Sequence, residues 1–474
     1  MRQKALYFYV AIITVFIVFI GIGLPYLLPY NMFVDGVIYA TIAKNLAFGE
    51  SSLWVLRYTE IIDPEFYAHP PLAFWMQGLF FKLFGTSGLI ERFYSILAIF
   101  AVGFFVVRIW KELTSEIYTA WLPLLFLILF PRFIWVAANN MLENTLSIFM
   151  CCFVFFYLKS LKQHKIYLII GGLSLFLGVL TKGVVALFPL TLPFWIWLFT
   201  KKIPFKKVIA DTFILLGCVC FPLVLWYALS ADAKHFFDNY LLHQMLPSIS
   251  GKYAFVSSRF FIILIFLKES ILCLIPVLSL FIVLWKKKKL DTIKKHQKDS
   301  FVFIALALCA ILPIMLTLKQ SSYYISPAYP FLAIALALLF QPMVKRWMEK
   351  INVALRVFVI FKWMSCVLFG ISIMVTIALN GRIGRDEQLQ VVAEISSYIP
   401  NNVTISIDEG TPCSWRLYDW LHAYFARYKN ISLDQTNEHT YYLHDKRVEP
   451  RLPLNSYILL TKVGEYELRM KRTE

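Results

Sequence analysis

Six ionisable side chains stand where so apolar a chain would not ordinarily keep them. Asp35 follows closely on a hydrophobic run, roughly 5–28, and opens the stretch Asp35-Gly36-Val37-Ile38-Tyr39. A carboxylate within about one helical turn of a membrane surface is well placed to take a proton from a substrate near the lipid. An acid there also suits a helix N-terminus, where it offsets the macrodipole, so a cap is the plain alternative. Glu143 interrupts an apolar run in Asn139-Asn140-Met141-Leu142-Glu143. Lys182 stands in Leu180-Thr181-Lys182-Gly183, between two apolar runs. His69 precedes Pro70-Pro71, His243 follows Phe236, Phe237 and Tyr240, and Lys319 comes shortly before Tyr323-Tyr324. Charges at membrane depth are costly, which makes each a candidate functional group, with snorkelling or capping as the alternative for each taken singly.

The elements that must position these groups are membrane helices. The chain of 474 residues is 59% hydrophobic, 17% aromatic and 16% charged, with a mean hydropathy of +0.67. Apolar runs long enough to cross a hydrocarbon core recur at 5–28, 93–110, 117–131, 133–158, 166–181, 183–199, 208–229, 259–285, 301–318, 323–340 and 354–379. The fold class is a polytopic α-helical membrane protein with about eleven spans. The first run is too long for a signal-peptide core and lacks a small-residue cleavage site, so it reads as a retained helix.

The net charge of +17 is topological, and nucleic acid is not an expected partner. Lysine-rich loops at 159–165, 201–207, 286–298 and 345–350 fall on one side; the segment 30–92, the loop 230–258 and the turn at Lys319 fall on the other. The positive-inside rule places the N-terminus and the lysine loops in the cytoplasm and sends the C-terminal tail outside. Asp35, His69, Glu143, Lys182, His243 and Lys319 then share the outer face. Acids and bases converging on one surface are what a site at the outer leaflet needs.

Residues 1–380 form the membrane body. Its outer loop 30–92 carries amphipathic patterns at 36–48 and 71–84, expected in the interface plane, where Trp54, Phe74, Trp75, Phe80, Phe81 and Phe84 suit the headgroup boundary. Residues 381–474 have the composition of a small soluble α/β domain, with helices expected at 388–398 and 415–428 and strands at 403–407 and 457–460. Seven of the eight cysteines fall in apolar spans and Cys413 in the tail, with no C-x-x-C pair and no metal-spaced Cys/His cluster. No internal repeat or low-complexity tract is visible, which argues mildly against a transporter built from inverted repeats.

Several motifs, in order, resemble one superfamily. Asp35 with Tyr39-Ala40 and Ile42-Ala43, His69-Pro70-Pro71-Leu72 with Phe74-Trp75, Lys82 to Gly85, and Glu91-Arg92 are similar to the first-loop signature of the protein O-mannosyltransferases and aminoarabinose transferases. These are GT-C glycosyltransferases of the membrane. Met141-Leu142-Glu143 resembles the segment carrying a second acid; Thr181-Lys182-Gly183 with Pro189, and Lys319 with Tyr323-Tyr324, Pro327-Ala328 and Pro330, resemble further motifs. The resemblance covers about 1–340, and the tail matches no named family. Gly36 stands where the superfamily usually has an acid, and Ala68-His69 where it usually has Glu-Lys. The next basic residue after His243 is Lys252, where an Arg often follows more closely. The missing acid at Ala68 weakens a divalent-metal site, for which His243 is the one candidate ligand. The histidine makes phosphate contact at position 69 depend on pH.

The resemblance implies transfer, with inversion, of a sugar from a polyprenyl-phosphate carrier to an acceptor at the outer face. A bacterial inner membrane is the expected location, because the chain is compact and has no large lumenal insertion. The acceptor class is open: an envelope lipid, a glycan or a protein. Asp35 is the implied general base and Glu143 the second acid. Lys182, His69, Lys319 and His243 are the implied contacts to the donor phosphate; Tyr39, Tyr67, Phe74, Trp75, Tyr323 and Tyr324 are expected to line the substrate groove, against membrane lipid. No cofactor is expected beyond the lipid-linked donor, with a metal left open. A flippase for polyprenyl-linked sugars would want its charges near the midplane, and a non-catalytic scaffold would tolerate loss of Asp35. The tail is expected to cap the outer cavity and help select the acceptor.

Overall fold

The computed structural model describes residues 2–29, 31–251, 255–350, 352–379, 387–408 and 419–472. Cys413, Lys252, the boundary at 380–382 and the expected helical residues 415–418 lie outside them. In chain order the helices begin with α1 (Arg2–Leu27), α2 (Val34–Ala47), α3 (Leu72–Phe84), α4 (Ile90–Thr114), α5 (Trp121–Ile128) and α6 (Pro131–Ala138). They continue with α7 (Leu142–Ser160), α8 (Ile166–Lys182), α9 (Leu192–Thr200), α10 (Phe205–Leu229), α11 (Ala231–Asn239) and α12 (Leu246–Ile249). Then come α13 (Phe261–Lys286), α14 (Lys294–Ile311), α15 (Tyr329–Lys350) and α16 (Arg356–Leu379). The tail holds α17 (Glu387–Ser396), β1 (Thr404–Ile407), α18 (Asp419–Lys429), β2 (Ser432–Asp434), β3 (Tyr441–Asp445), β4 (Tyr457–Val463) and β5 (Tyr466–Lys471).

Among the described residues nine helical segments are long and apolar enough to cross a membrane, or ten if a bent pair, Ile117–Ile128 with Pro131–Ala138, counts as one span. This is a multi-pass membrane protein with a small C-terminal α/β sheet region. The 81° bend falls at Pro131, which has no N–H to continue a helical ladder and starts α6 instead. The spans expected at 166–181 and 183–199 appear as one 35-residue apolar stretch, Ile166–Thr200. The break inside it is a 3-10 segment, Gly183–Thr191, rather than a polar loop. Seven of the cysteines are free thiols.

Two compact units make up the chain: residues 1–26, 67–73 and 95–379 form the first, and 27–66, 74–94 and 380–474 the second. In the first, α7 packs along α8. Close approach is possible because Gly178 has no side chain; a Cβ there would run into Met150 and Ala186. Apolar side chains such as Phe213, Phe221 and Leu229 on α10 remain exposed, as a lipid-facing surface requires.

The second unit is built on a five-stranded sheet of order β2-β1-β3-β5-β4. Strand β1 runs parallel to both β2 and β3, while β5 is antiparallel to β3 and β4. One hydrophobic core joins Val392 and Ile395 of α17, Leu421 and Phe425 of α18, and Ile405, Leu433 and Leu443 of the sheet with Met32 and Val37. The expected helices at 36–48 and 71–84 are present as α2 and α3. Phe74 and Phe81 are fully buried, which corrects the interfacial placement expected for them. Phe84 is exposed.

Candidate functional site

The densest set of candidate residues in the first unit gathers at one end of the α7–α8 pair. Glu143 is the second residue of α7 and Lys182 the last of α8, so each charge complements its own helix dipole. Their side chains form a buried ion pair, Lys182 Nζ to Glu143 Oε1. Tyr324 covers the lysine, with Nζ 4.7 Å from its ring centroid, and the Tyr323 ring lies 5.9 Å away. Tyr323 in turn stacks on Trp135 at 6.0 Å and 20°. Trp135 has the Arg132 guanidinium 4.9 Å over its ring, and Arg132 pairs with Glu269 at 3.5 Å.

A second cation and a histidine share this environment. The Lys319 ammonium lies 5.8 Å from the Phe255 ring. Its segment is pinned by the neighbouring Gln320, which is buried. Gln320 Oε1 accepts from the Ile262 N–H at 3.0 Å, while its Nε2 donates to Thr317 O at 2.9 Å and Arg259 O at 3.0 Å. Burial, then the positive charges of Lys182 and Lys319, hold the His69 imidazole well below its ordinary value of 6.5. The imidazole is therefore neutral near pH 7.

Gly183 ends α8 with φ +72°, and a Cβ there would lie 2.2 Å from the Tyr240 hydroxyl. The position thus needs glycine for its backbone and for its space. Burial pushes the Tyr240 phenol up to about 12, so it stays protonated. Its ring stacks on Phe236 at 6.1 Å and 8°, and Phe236 also meets Tyr67 at 6.0 Å. Tyr67 is anchored by His235, its hydroxyl 2.8 Å from Nε2. His243 is exposed, within a π-helical segment, Tyr240–Met245. Among the described residues no group of three His, Cys, Asp or Glu side chains is placed to hold a metal ion.

The second unit holds the remaining candidates. Asp35 is the second residue of α2, half-buried, and Phe33 rather than Asp35 occupies the N-cap position. Tyr39 meets Phe74 edge-on at 5.8 Å, and Phe66 meets Phe74 at 5.6 Å. Phe74 therefore shapes its surroundings from within the packing and offers no face to a ligand. Trp75 donates Nε1–H to Leu53 O at 2.6 Å and meets Trp54 edge-on at 5.3 Å. The structure thus brings Glu143, Lys182, Tyr323 and Tyr324 together, sets His69 in the field of Lys182 and Lys319, and places Asp35, Tyr39, Phe74 and Trp75 in the other unit. Trp135, His235, Tyr240 and Gln320 were not legible as site residues. Trp135 and Tyr240 stand among other aromatics, and only their contacts distinguish them.

Comparison with known proteins follows the same lines. The sequence pattern of a family described as dolichyl-phosphate-mannose-protein mannosyltransferase matches residues 68–226. The undecaprenyl phosphate-alpha-4-amino-4-deoxy-L-arabinose arabinosyl transferase of Wigglesworthia glossinidia brevipalpis is 25% identical over 200 residues. That alignment takes in 40% of this chain and spans about a third of the relative, 35% of its length. Among solved structures, ArnT from Cupriavidus metallidurans bound to undecaprenyl phosphate superposes with a TM-score of 0.64 at 14% identity, covering 95% of this chain and 97% of that one. The archaeal oligosaccharyltransferase AglB from Archaeoglobus fulgidus reaches a TM-score of 0.50 at 11% identity, covering 92% of this chain and 69% of its own. The chain therefore has an ArnT-like fold, and the resemblance to the GT-C superfamily seen in its motifs is borne out.

Proposed function

We propose that the chain is an inverting glycosyltransferase that moves a hexosyl or pentosyl unit from a polyprenyl-phosphate carrier to a hydroxyl-bearing acceptor. The acceptor is an envelope glycolipid, a glycan or a protein at the outer face of a bacterial inner membrane. In this reading the N-terminus is cytoplasmic and the C-terminal domain outside. The observation that carries the proposal is the Lys182 ammonium, held at a helix end by Glu143 and covered by Tyr324, with Lys319 contributing to the same positive field. Such a site fits a phosphate presented at membrane depth. The curated relative, named for an undecaprenyl-phosphate-linked amino sugar, and the ArnT structure with undecaprenyl phosphate support that choice of carrier.

In the reaction the acceptor oxygen attacks the anomeric carbon on the face opposite the phosphate. The carbon–oxygen bond to the carrier breaks, and its electron pair leaves on the phosphate. Lys182 and Lys319 stabilise that developing charge; neutral His69 can add one N–H donor but no charge. Asp35 takes the proton from the acceptor hydroxyl. Glu143, already paired with Lys182, orients the lysine and is not the base. The cations are side chains, and no metal enters the proposal.

Membranes from cells expressing wild type or Asp35→Asn, supplied with radiolabelled polyprenyl-phosphate sugars and envelope extract, test this. Label should pass from carrier to acceptor in the wild type and stay on the carrier in Asp35→Asn at equal expression. Label that crosses the membrane while remaining on its carrier would make the protein a flippase.

A further inference from the structure

The helix that carries Asp35 is backed by the C-terminal domain. At about 100° per residue, Asp35, Tyr39, Ile42 and Leu46 share one side of α2, while Val37, Thr41 and Lys44 share the other. That other side belongs to the C-terminal domain. Met32 and Val37 are buried in the core made by α17, α18 and the sheet, and Val34 and Ile38 pack against it.

Polar contacts hold both ends of α2. Before its first turn, the Tyr424 hydroxyl donates to Met32 O at 3.3 Å, and Arg92 donates to Asn31 O at 2.6 Å and to Leu27 O. In its last turn, Lys44 Nζ donates to Ala426 O and Arg427 O, each at 3.2 Å, and to Asn430 Oδ1. Those carbonyls belong to the last turn of α18, where helical C=O groups have no partner of their own, so Lys44 caps α18 across the fold. Next to it, Arg427 is locked. Its guanidinium makes a two-pronged bond to Glu91, Nε to Oε1 at 3.2 Å and Nη2 to Oε2 at 2.8 Å, and donates to Thr86 O and Ser87 O. The side chains of Arg427 and Glu91 are 1% and 0% exposed, and the guanidinium rests 4.9 Å over Phe81.

We infer that the C-terminal domain is a positioning part of the catalytic machinery: it is the surface on which α2 is set, and Lys44, Arg427 and Glu91 fix the helix that presents Asp35. The inference rests on the reading of Asp35 as the base. It differs from a separable acceptor-selecting module, because removing the domain would strip Val37 and Met32 of their core and Lys44 of all three of its acceptors in the domain. The burial of Lys44 agrees with this role. Its ammonium is brought down to about 8, first by burial and then by Arg427, against the opposing pull of Glu50 and Glu91.

The test uses the full chain in lipid nanodiscs, with Arg427→Ala, Glu91→Ala, the double variant, Lys44→Met and Lys44→Arg. The expected result is a kcat lowered by about tenfold or more in Arg427→Ala, Glu91→Ala and Lys44→Met, with KM for the lipid-linked donor and the set of acceptors unchanged. The double variant should be little worse than either single, and Lys44→Arg should recover most of the rate. Variants that fold and keep their kcat, or change only their choice of acceptor, overturn the inference. Activity retained in Asp35→Asn would instead overturn the reading of Asp35, whatever the clamp variants do.

Hydrogen exchange on the wild type decides the matter even if every variant misfolds. The amides of α2 should open together with those of α18 as one cooperative unit. Faster, independent exchange in α2 refutes the clamp.

Discussion

Replacing Lys182 by methionine separates stability from catalysis at the Glu143–Lys182 pair. The Glu143 side chain is 1% exposed and that of Lys182 is 11%. Lys182→Met therefore strips a dry carboxylate of its countercharge, whereas Glu143→Gln leaves an ammonium that still reaches some solvent and the Tyr324 ring at 4.7 Å. Breaking a buried pair from one side costs about 3–5 kcal/mol. The first turn of α7 returns about a third of that through its dipole, leaving roughly 2–3 kcal/mol. Glu143→Gln keeps an acceptor for the lysine and should cost about 1 kcal/mol. The double variant Lys182→Met/Glu143→Leu buries two apolar side chains in place of the ions and should return to within about 1 kcal/mol of wild type. Catalysis should not follow stability. If the ammonium stabilises the leaving phosphate, Lys182→Met and the double variant should both lose about 10²–10³ in transfer rate. Thermal unfolding in nanodiscs, followed by tryptophan fluorescence, and initial rates at saturating donor measure the two quantities separately. A double variant that regains transfer along with stability would show that the lysine only balances Glu143. A Lys182→Met protein no less stable than Glu143→Gln would refute the burial argument itself.

Three further outcomes are expected. The folded value of His69 lies well below its ordinary 6.5, so its contribution to stability is complete above about pH 6.5 and is lost as the pH falls toward the folded value, where the unfolded chain binds the proton first. Transfer should accordingly show no His69-dependent change between about pH 7 and 8; a step in that range that disappears in His69→Asn would contradict the assignment. Gly183→Ala should destabilise by about 1–3 kcal/mol, since it combines a left-handed backbone with a clash against the Tyr240 hydroxyl, and Tyr240→Phe should relieve part of the loss in a thermal-unfolding double-mutant cycle. Dialysis against EDTA should leave transfer within about twofold of its starting rate, and a large loss restored by a divalent cation would bring a metal into the reaction.

The membrane body was legible because hydrocarbon enforces a simple rule: each span must be apolar and must satisfy its own backbone. The C-terminal sheet was only partly legible, for a reason its residues show. The helix at 387–396 and the strands at 404–407 and 457–463 were expected nearly in place, but β2, β3 and β5 were not. Strand β3 reads Tyr441-Tyr442-Leu443-His444-Asp445, and its buried end carries a histidine and a carboxylate, so it shows no apolar alternation. The Asp445 carboxylate is held by Arg447, two residues on, at 2.6 Å, but the histidine and the strand's backbone depend on a partner distant in sequence. Asp408 accepts from the Asp445 N–H at 2.7 Å and the Arg451 N–H at 3.0 Å, and pairs with His444 Nδ1 at 2.9 Å and the Tyr442 hydroxyl. Lys44 and Arg427 were missed in the same way. Each looks like a surface charge until the fold supplies its partners.

The charges that were legible share a feature that hydropathy alone does not explain. Asp35 and Glu143 are each the second residue of a helix, and Lys182 is the last residue of one. In a medium of low dielectric a helix end is the place where a carboxylate or an ammonium meets a backbone dipole of opposite sign. It is also where the backbone leaves N–H or C=O groups open to a ligand. The chain makes such ends inside its apolar stretches by interrupting them with 3-10 segments: Gly183–Thr191 directly after Lys182, Leu312–Leu316 just before Lys319, and Ser322–Ala328 around Tyr323 and Tyr324. An unbroken helix through Gly183 would cross the membrane equally well but would leave Lys182 beside a continuous wall of satisfied backbone. The break at Gly183 thus gives Lys182 its helix end, and the coincidence of these breaks with the lysines and tyrosines ties the irregularity of the fold to the phosphate chemistry proposed for it.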